Sequence, residues 1–198
     1  TRMNPRGNSE PSHAISATPR NWIADVQTAL GPGVTLTTRR AAAARAARTA
    51  SELGWQDHRR AFSHYMLGRM IQATDPVLAQ QHYSNAMSYL ERTPGTELHR
   101  AFIATQTAAF SVARGRGDEA LARIEPHLDI ARRAENAALL ATLMLLQAEA
   151  LDLLGRDEEA QAVRLDSLGW ARYGFGSDGA VRAKMKEIAA LAPKARRG

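Results

Sequence analysis

Gly115-Arg116-Gly117-Asp118-Glu119-Ala120 and Gly155-Arg156-Asp157-Glu158-Glu159-Ala160 are one phrase written twice, 40 residues apart. Long apolar patterns at helical spacing flank both copies. A glycine after such a run supplies the left-handed cap that ends a helix. An acidic pair then opens the next helix, where the dipole favours negative charge. Each copy therefore predicts helix, turn, helix. Self-similarity at this period marks a stacked array, because one hairpin cannot bury its apolar face until a neighbour covers it.

Outward from these turns the chain continues as helix. Thr18-Pro19 predicts a capped start, and Trp22, Ile23, Val26 and Leu30 recur at helical spacing until Gly31-Pro32-Gly33. An alanine-rich helix is expected from Thr37 or Thr38 to Leu53-Gly54, strong in intrinsic propensity. Further helices are expected over 56–73, 76–92, 97–114, 118–135, 137–154, 157–173 and 178–191, with no sustained strand alternation. Pro126 is expected to interrupt its helix, Gly174 to stop another, and Ser177 to cap the last. Residues 1–17 have the composition of a disordered tail, and 193–198 form a basic one.

Residues 102–173 resemble tetratricopeptide repeats, with Ala120 and Ala160 in the small-residue slot behind each turn. A third copy lies upstream: Thr74-Asp75-Pro76-Val77-Leu78-Ala79 makes the turn, Tyr83 fills the aromatic slot, Ala86 the next small slot, and Pro94 ends the unit. Leu67-Gly68 matches the family's Leu-Gly pair, one residue closer to the turn than usual. The spacing of 40 to 41 residues departs from the usual ~34, and Arg164 stands where an apolar residue is expected. The resemblance implies an all-α, right-handed superhelix of antiparallel helix hairpins, an α-solenoid forming one domain over 18–192. Within it, 18–54 would be an N-terminal helical cap, 56–173 about three hairpins, and 177–192 a C-terminal capping helix.

For function, the resemblance implies a non-catalytic scaffold that needs no cofactor and binds a protein or peptide in a concave groove lined by the first helix of each hairpin. The groove-facing slots fall on His64 and Gln72, on Thr105, Ala109 and Val112, and on Leu145, Glu149 and Asp152. Glu149 and Asp152 are expected as exposed charges there, while Val112 and Leu145 fit inter-repeat core equally well. The set lacks the lysine and asparagine clamp with which chaperone-binding members hold a C-terminal carboxylate.

Other features that suggest chemistry have plainer readings. Gly174-Phe175-Gly176-Ser177-Asp178-Gly179 spells G-x-G-x-x-G, but a helix precedes it where a dinucleotide site needs a strand. The histidines, His13, His58, His64, His82, His99 and His127, include no i,i+4 pair of the kind a helical metal site uses. No nucleophile elbow is present, and cysteine is absent, which excludes disulfides and thiol chemistry. No catalytic or metal-ligating residue is therefore expected.

The net charge of +6 admits an alternative, a basic nucleic-acid-associated scaffold. Arg39, Arg40, Arg45 and Arg48 nevertheless spread around more than half of their helix, without aromatics to stack on bases, so a solvated face is the favoured reading. No apolar run reaches the ~20 residues of a membrane span. The alanine- and arginine-rich composition fits a bacterium. A start at Thr1 is compatible with a removed leader, and the compartment stays open between cytoplasm and periplasm or cell envelope. Finally, Trp170, Tyr173 and Phe175 are expected to converge on one apolar patch, covered by a last helix carrying Val181, Met185, Ile188 and Leu191.

Overall fold

The computed structural model describes residues 16–193, so most of the expected N-terminal tail and the basic residues Lys194, Arg196 and Arg197 lie outside the described part. Among the described residues there are nine α-helices and no strand. They are α1 (Pro19–Leu30), α2 (Leu36–Glu52), α3 (His58–Ile71), α4 (Pro76–Glu91), α5 (Glu97–Ala113), α6 (Gly117–Arg133), α7 (Ala137–Leu153), α8 (Asp157–Phe175) and α9 (Asp178–Ala189). None is long and apolar enough to cross a membrane.

Local chemistry fixes most of these ends. The side chains of Thr18, Thr35, Asp57, Asp75, Asn136 and Ser177 each accept a bond from a backbone N–H in the first turn that follows, which satisfies donors a helix start leaves free. The repeated phrase folds twice into the same turn. Gly115 and Gly155 take φ of 71° and 72°. Behind them the Arg116 and Arg156 amides donate, both at 2.9 Å, to the Ser111 and Leu151 carbonyls. Arg116 pairs with Glu119 and Arg156 with Glu159, so even the ion pairs recur.

A third turn of this kind sits midway between them and uses no glycine. Glu135 adopts φ 51°, and the Asn136 amide reaches back to the Ala131 carbonyl. α5, α6 and α7 are consequently each 17 residues long with three-residue links. The structural period is therefore about 20 residues, and two helices make up the spacing read in the sequence.

Consecutive helices pack on one another along the chain, and α9 lies on both α7 and α8. The main core gathers on α7, where Leu140, Leu143 and Leu146 meet Val112 of α5, Ile124 of α6 and Ile188 of α9. Ala120 and Ala160 are fully buried in it, as their slot behind the turns requires. Upstream, Tyr83 lies over Gly68, where a Cβ would come within 2.8 Å of the ring, and the N-terminal helices meet through Ala29, Ala42, Ala43, Ala46 and Met66.

One expected break is absent and another is displaced. α6 runs straight through Pro126, whose ring is exposed. Leu121 and Ile124 before it and Ala131 after it are buried in the core, and this anchoring holds the helix across the one donor that proline lacks. α8 likewise passes Gly174 and ends at Gly176, with φ 78°. Gly174 instead lets the helix press on the backbone of Ala137 and Ala138, where a Cβ would collide. The aromatic run divides as well: Trp170 and Phe175 pack against Ala141, Ala171 and Val181, whereas Tyr173 is 88% exposed.

Candidate functional site

Four successive positions of α5, Gln106, Ala109, Phe110 and Ala113, fall at the i, i+3, i+4, i+7 spacing of one helix face. That face forms the floor of an open groove of about 420 Å³. Arg69 and Gln72 at the end of α3 and Pro76 and Gln80 at the start of α4 make one wall, and Lys184, Glu187, Ile188 and Leu191 of α9 make the other, with Leu146 of α7 beneath. The floor is apolar apart from Gln106 and the walls mix polar with apolar side chains, the pattern of a site that buries apolar groups and orients them with a few hydrogen bonds.

The rim is held in place by its own bonds. The Arg69 guanidinium donates to Gln106 Oε1 at 3.0 Å, and Lys184 Nζ lies 3.1 Å from Glu187. Tyr83 donates its hydroxyl to Gln72 Oε1 at 2.6 Å, and burial raises the phenol's pKa, keeping it a donor. Gln72 is thus oriented from behind, with its amide N–H₂ left for the groove.

A smaller, almost wholly apolar cleft of about 270 Å³ opens between α3 and α5, lined by Phe62, Tyr65, Phe102 and Ile103 with His58 and His99 at its margin. Between α3 and α4, His64 and His82 face each other Nδ1 to Nδ1 at 3.0 Å, with Tyr89 stacked on His64. Burial pushes both imidazoles down, and with the field of His82 and Arg60 it takes His64 to about 4. One ring donates and the other accepts at neutral pH. Among the described residues no group of three or more His, Asp or Glu side chains could hold a metal ion.

The residues singled out from the sequence separate into four places. Gln72, Thr105 and Ala109 line the groove together. His64 belongs to the imidazole pair. Val112 and Leu145 are buried in the main core. Glu149 and Asp152 are both held by Arg164 of α8, and Glu149 is only 8% exposed. The expectation that this pair stands free at the surface is therefore corrected for Glu149, because Arg164 draws its carboxylate into the α7–α8 contact.

Arg69, Gln106 and Phe110 were missed by the turn-based placement, although Gln106 and Phe110 directly follow the identified Thr105 and Ala109, and Arg69 is three residues before Gln72. The α9 wall had no sequence signal, because nothing in a linear pattern shows a terminal helix turning toward α5. The clustered arginines of α2 are largely spoken for. Arg39 donates to the Gly31 carbonyl, Arg40 to the Met70 carbonyl, and Arg45 pairs with Asp25. No protein-family model matches the chain, and no curated protein matches it significantly.

Proposed function

We propose that this chain is a tetratricopeptide-like α-solenoid of antiparallel helix hairpins that binds a peptide or protein segment, without catalysis, in the groove between α3–α4 and α9. The observation that carries this reading is the groove itself: a largely apolar floor from one face of α5, an oriented Gln72 amide, Arg69 on one rim and the Lys184–Glu187 pair on the other. Such a surface suits an extended segment with small apolar side chains and at least one acidic group. The Gly68–Tyr83 contact and the buried Ala79, Ala86, Ala120 and Ala160 support the family likeness. The nucleic-acid reading loses support from the arginines that bond within the chain.

A displayed random peptide library, selected on the purified protein, tests the reading. Enriched peptides should bind an Ala113→Trp variant about tenfold or more weakly, since Ala113 is an exposed groove residue and indole would fill the cavity. Thermal melting should be unchanged. Failure to enrich any peptide, or enriched peptides indifferent to Ala113→Trp, would overturn it.

A further inference from the structure

Glycine is the least favourable helix-interior residue after proline, so each one inside a helix calls for a reason. Gly68 has Tyr83 against it, Gly117 the Ala150 carbonyl and Gly174 the Ala138 backbone, and Gly179 sits in the first turn of α9 beside its cap Ser177, where a helix start tolerates glycine. Gly169, in the middle of α8, has nothing: a Cβ built there meets no atom within 4 Å. It is exposed, and so is the whole face around it.

That face has an order that reads the same from both ends. Moving outward from Gly169, the positions three residues away are Asp166 and Arg172, opposite in charge. Those four away are Leu165 and Tyr173, both large and apolar, and those seven away are Ala162 and Gly176, both small. Leu165 is 62% and Tyr173 88% exposed, while the opposite face of α8 buries Ser167 and Ala171, with Leu168 and Trp170 packing inward on its two flanks. Arg172 has only a loose surface contact with Asp178, at 3.7 Å, and Asp166 has no ion-pair partner among the described residues.

We propose that this face is an interface between two copies of the chain, their α8 helices crossing in opposite directions with Gly169 at the crossing. A two-fold axis there sets Leu165 and Asp166 of one copy level with Tyr173 and Arg172 of the other, once on each side of the axis. The interface is therefore isologous and self-complementary in charge and in apolar surface. Gly169 lets the two backbones approach, which supplies the reason for its presence. The surface is separate from the α5 groove and does not depend on any ligand there.

Sedimentation velocity over a wide concentration range tests it. The parent should pass from monomer to dimer. Asp166→Arg and Arg172→Asp should each weaken self-association about tenfold or more, because each places like charges opposite one another twice. Mixing these two variants should restore a dimer of one copy of each, since their charges then match again. Gly169→Leu should abolish association while melting no lower than the parent. A parent that stays monomeric throughout overturns the proposal. So does a dimer that both charge variants leave intact, or a mixture of the two that does not associate.

Discussion

α2 and α7 are both 17 residues long, and both are packed by neighbours, but they are packed differently. α7 buries a continuous set of leucines and Met144 against α5, α6, α8 and α9. α2 buries Ala42, Ala43, Ala46 and Ala50, so α1 and α3 come close and little apolar area is covered. The N-terminal side compensates with directed bonds: the Trp22 indole N–H donates to the buried Ser63 hydroxyl at 2.7 Å, and Arg39 and Arg40 bond the carbonyls at the ends of α1 and α3. One half gains stability from area and the other from close approach and polar closure. The first kind scales with the apolar area covered, whereas the second fails bond by bond, because an unmade buried hydrogen bond costs more than a made one contributes.

The largest effect should come from removing area where area matters. Leu143→Ala is expected to cost about 2–5 kcal/mol in urea unfolding, since Leu143 is wholly buried and its neighbours are themselves locked in place. A loss under about 1 kcal/mol would mean that α7 is loosely packed after all.

The reciprocal change adds area where closeness matters. Ala46→Leu should destabilise by about 1–3 kcal/mol, because the fully buried Ala46 leaves no room between α2 and its neighbours. A gain in stability would erase the distinction between the halves and show the alanine contact to be underfilled.

A third contrast lies in pH. His64 and His82 have folded pKa values below the ordinary 6.5, so the unfolded chain binds more protons in acid and stability must fall as pH falls. The loss should begin near 6.5 and be complete near 4, the His64 value. Amide exchange should show α3 and α4 loosening before α7, and His64→Gln should flatten the pH dependence. His127 of α6 shifts in the same direction, so equal acid sensitivity in both halves would assign the effect to His127 instead.

What could be read in the sequence follows from how local its cause was. Helix number and extent came through because caps, proline starts and glycine stops act within a turn of the residue concerned; Thr18, Asp75 and Ser177 are clear cases. The turn at Glu135 was foreseen only as a boundary. Its left-handed residue is a glutamate, and the period of about 20 residues stayed hidden behind the longer one. Gly174 was misread because a helix-stop glycine and a close-contact glycine look alike until the partner, Ala138, is in place. At the groove, Gln72, Thr105 and Ala109 could be placed by offset from the turns. Arg69 and the α9 wall could not, since only the three-dimensional path of the chain brings them to α5.

Arg164 has a consequence for how this chain can change over time. It stands where the tetratricopeptide resemblance would put an apolar residue, and it holds the Glu149 carboxylate at 2.9 Å together with that of Asp152. Arg164→Leu, the substitution that would make the repeat more regular, leaves Glu149 buried without its counter-ion. The route to a regular repeat therefore passes through Glu149 first, and the reverse order crosses a less stable intermediate. The three residues form a ratchet: once assembled, they admit replacement in one sequence of steps far more readily than in the other.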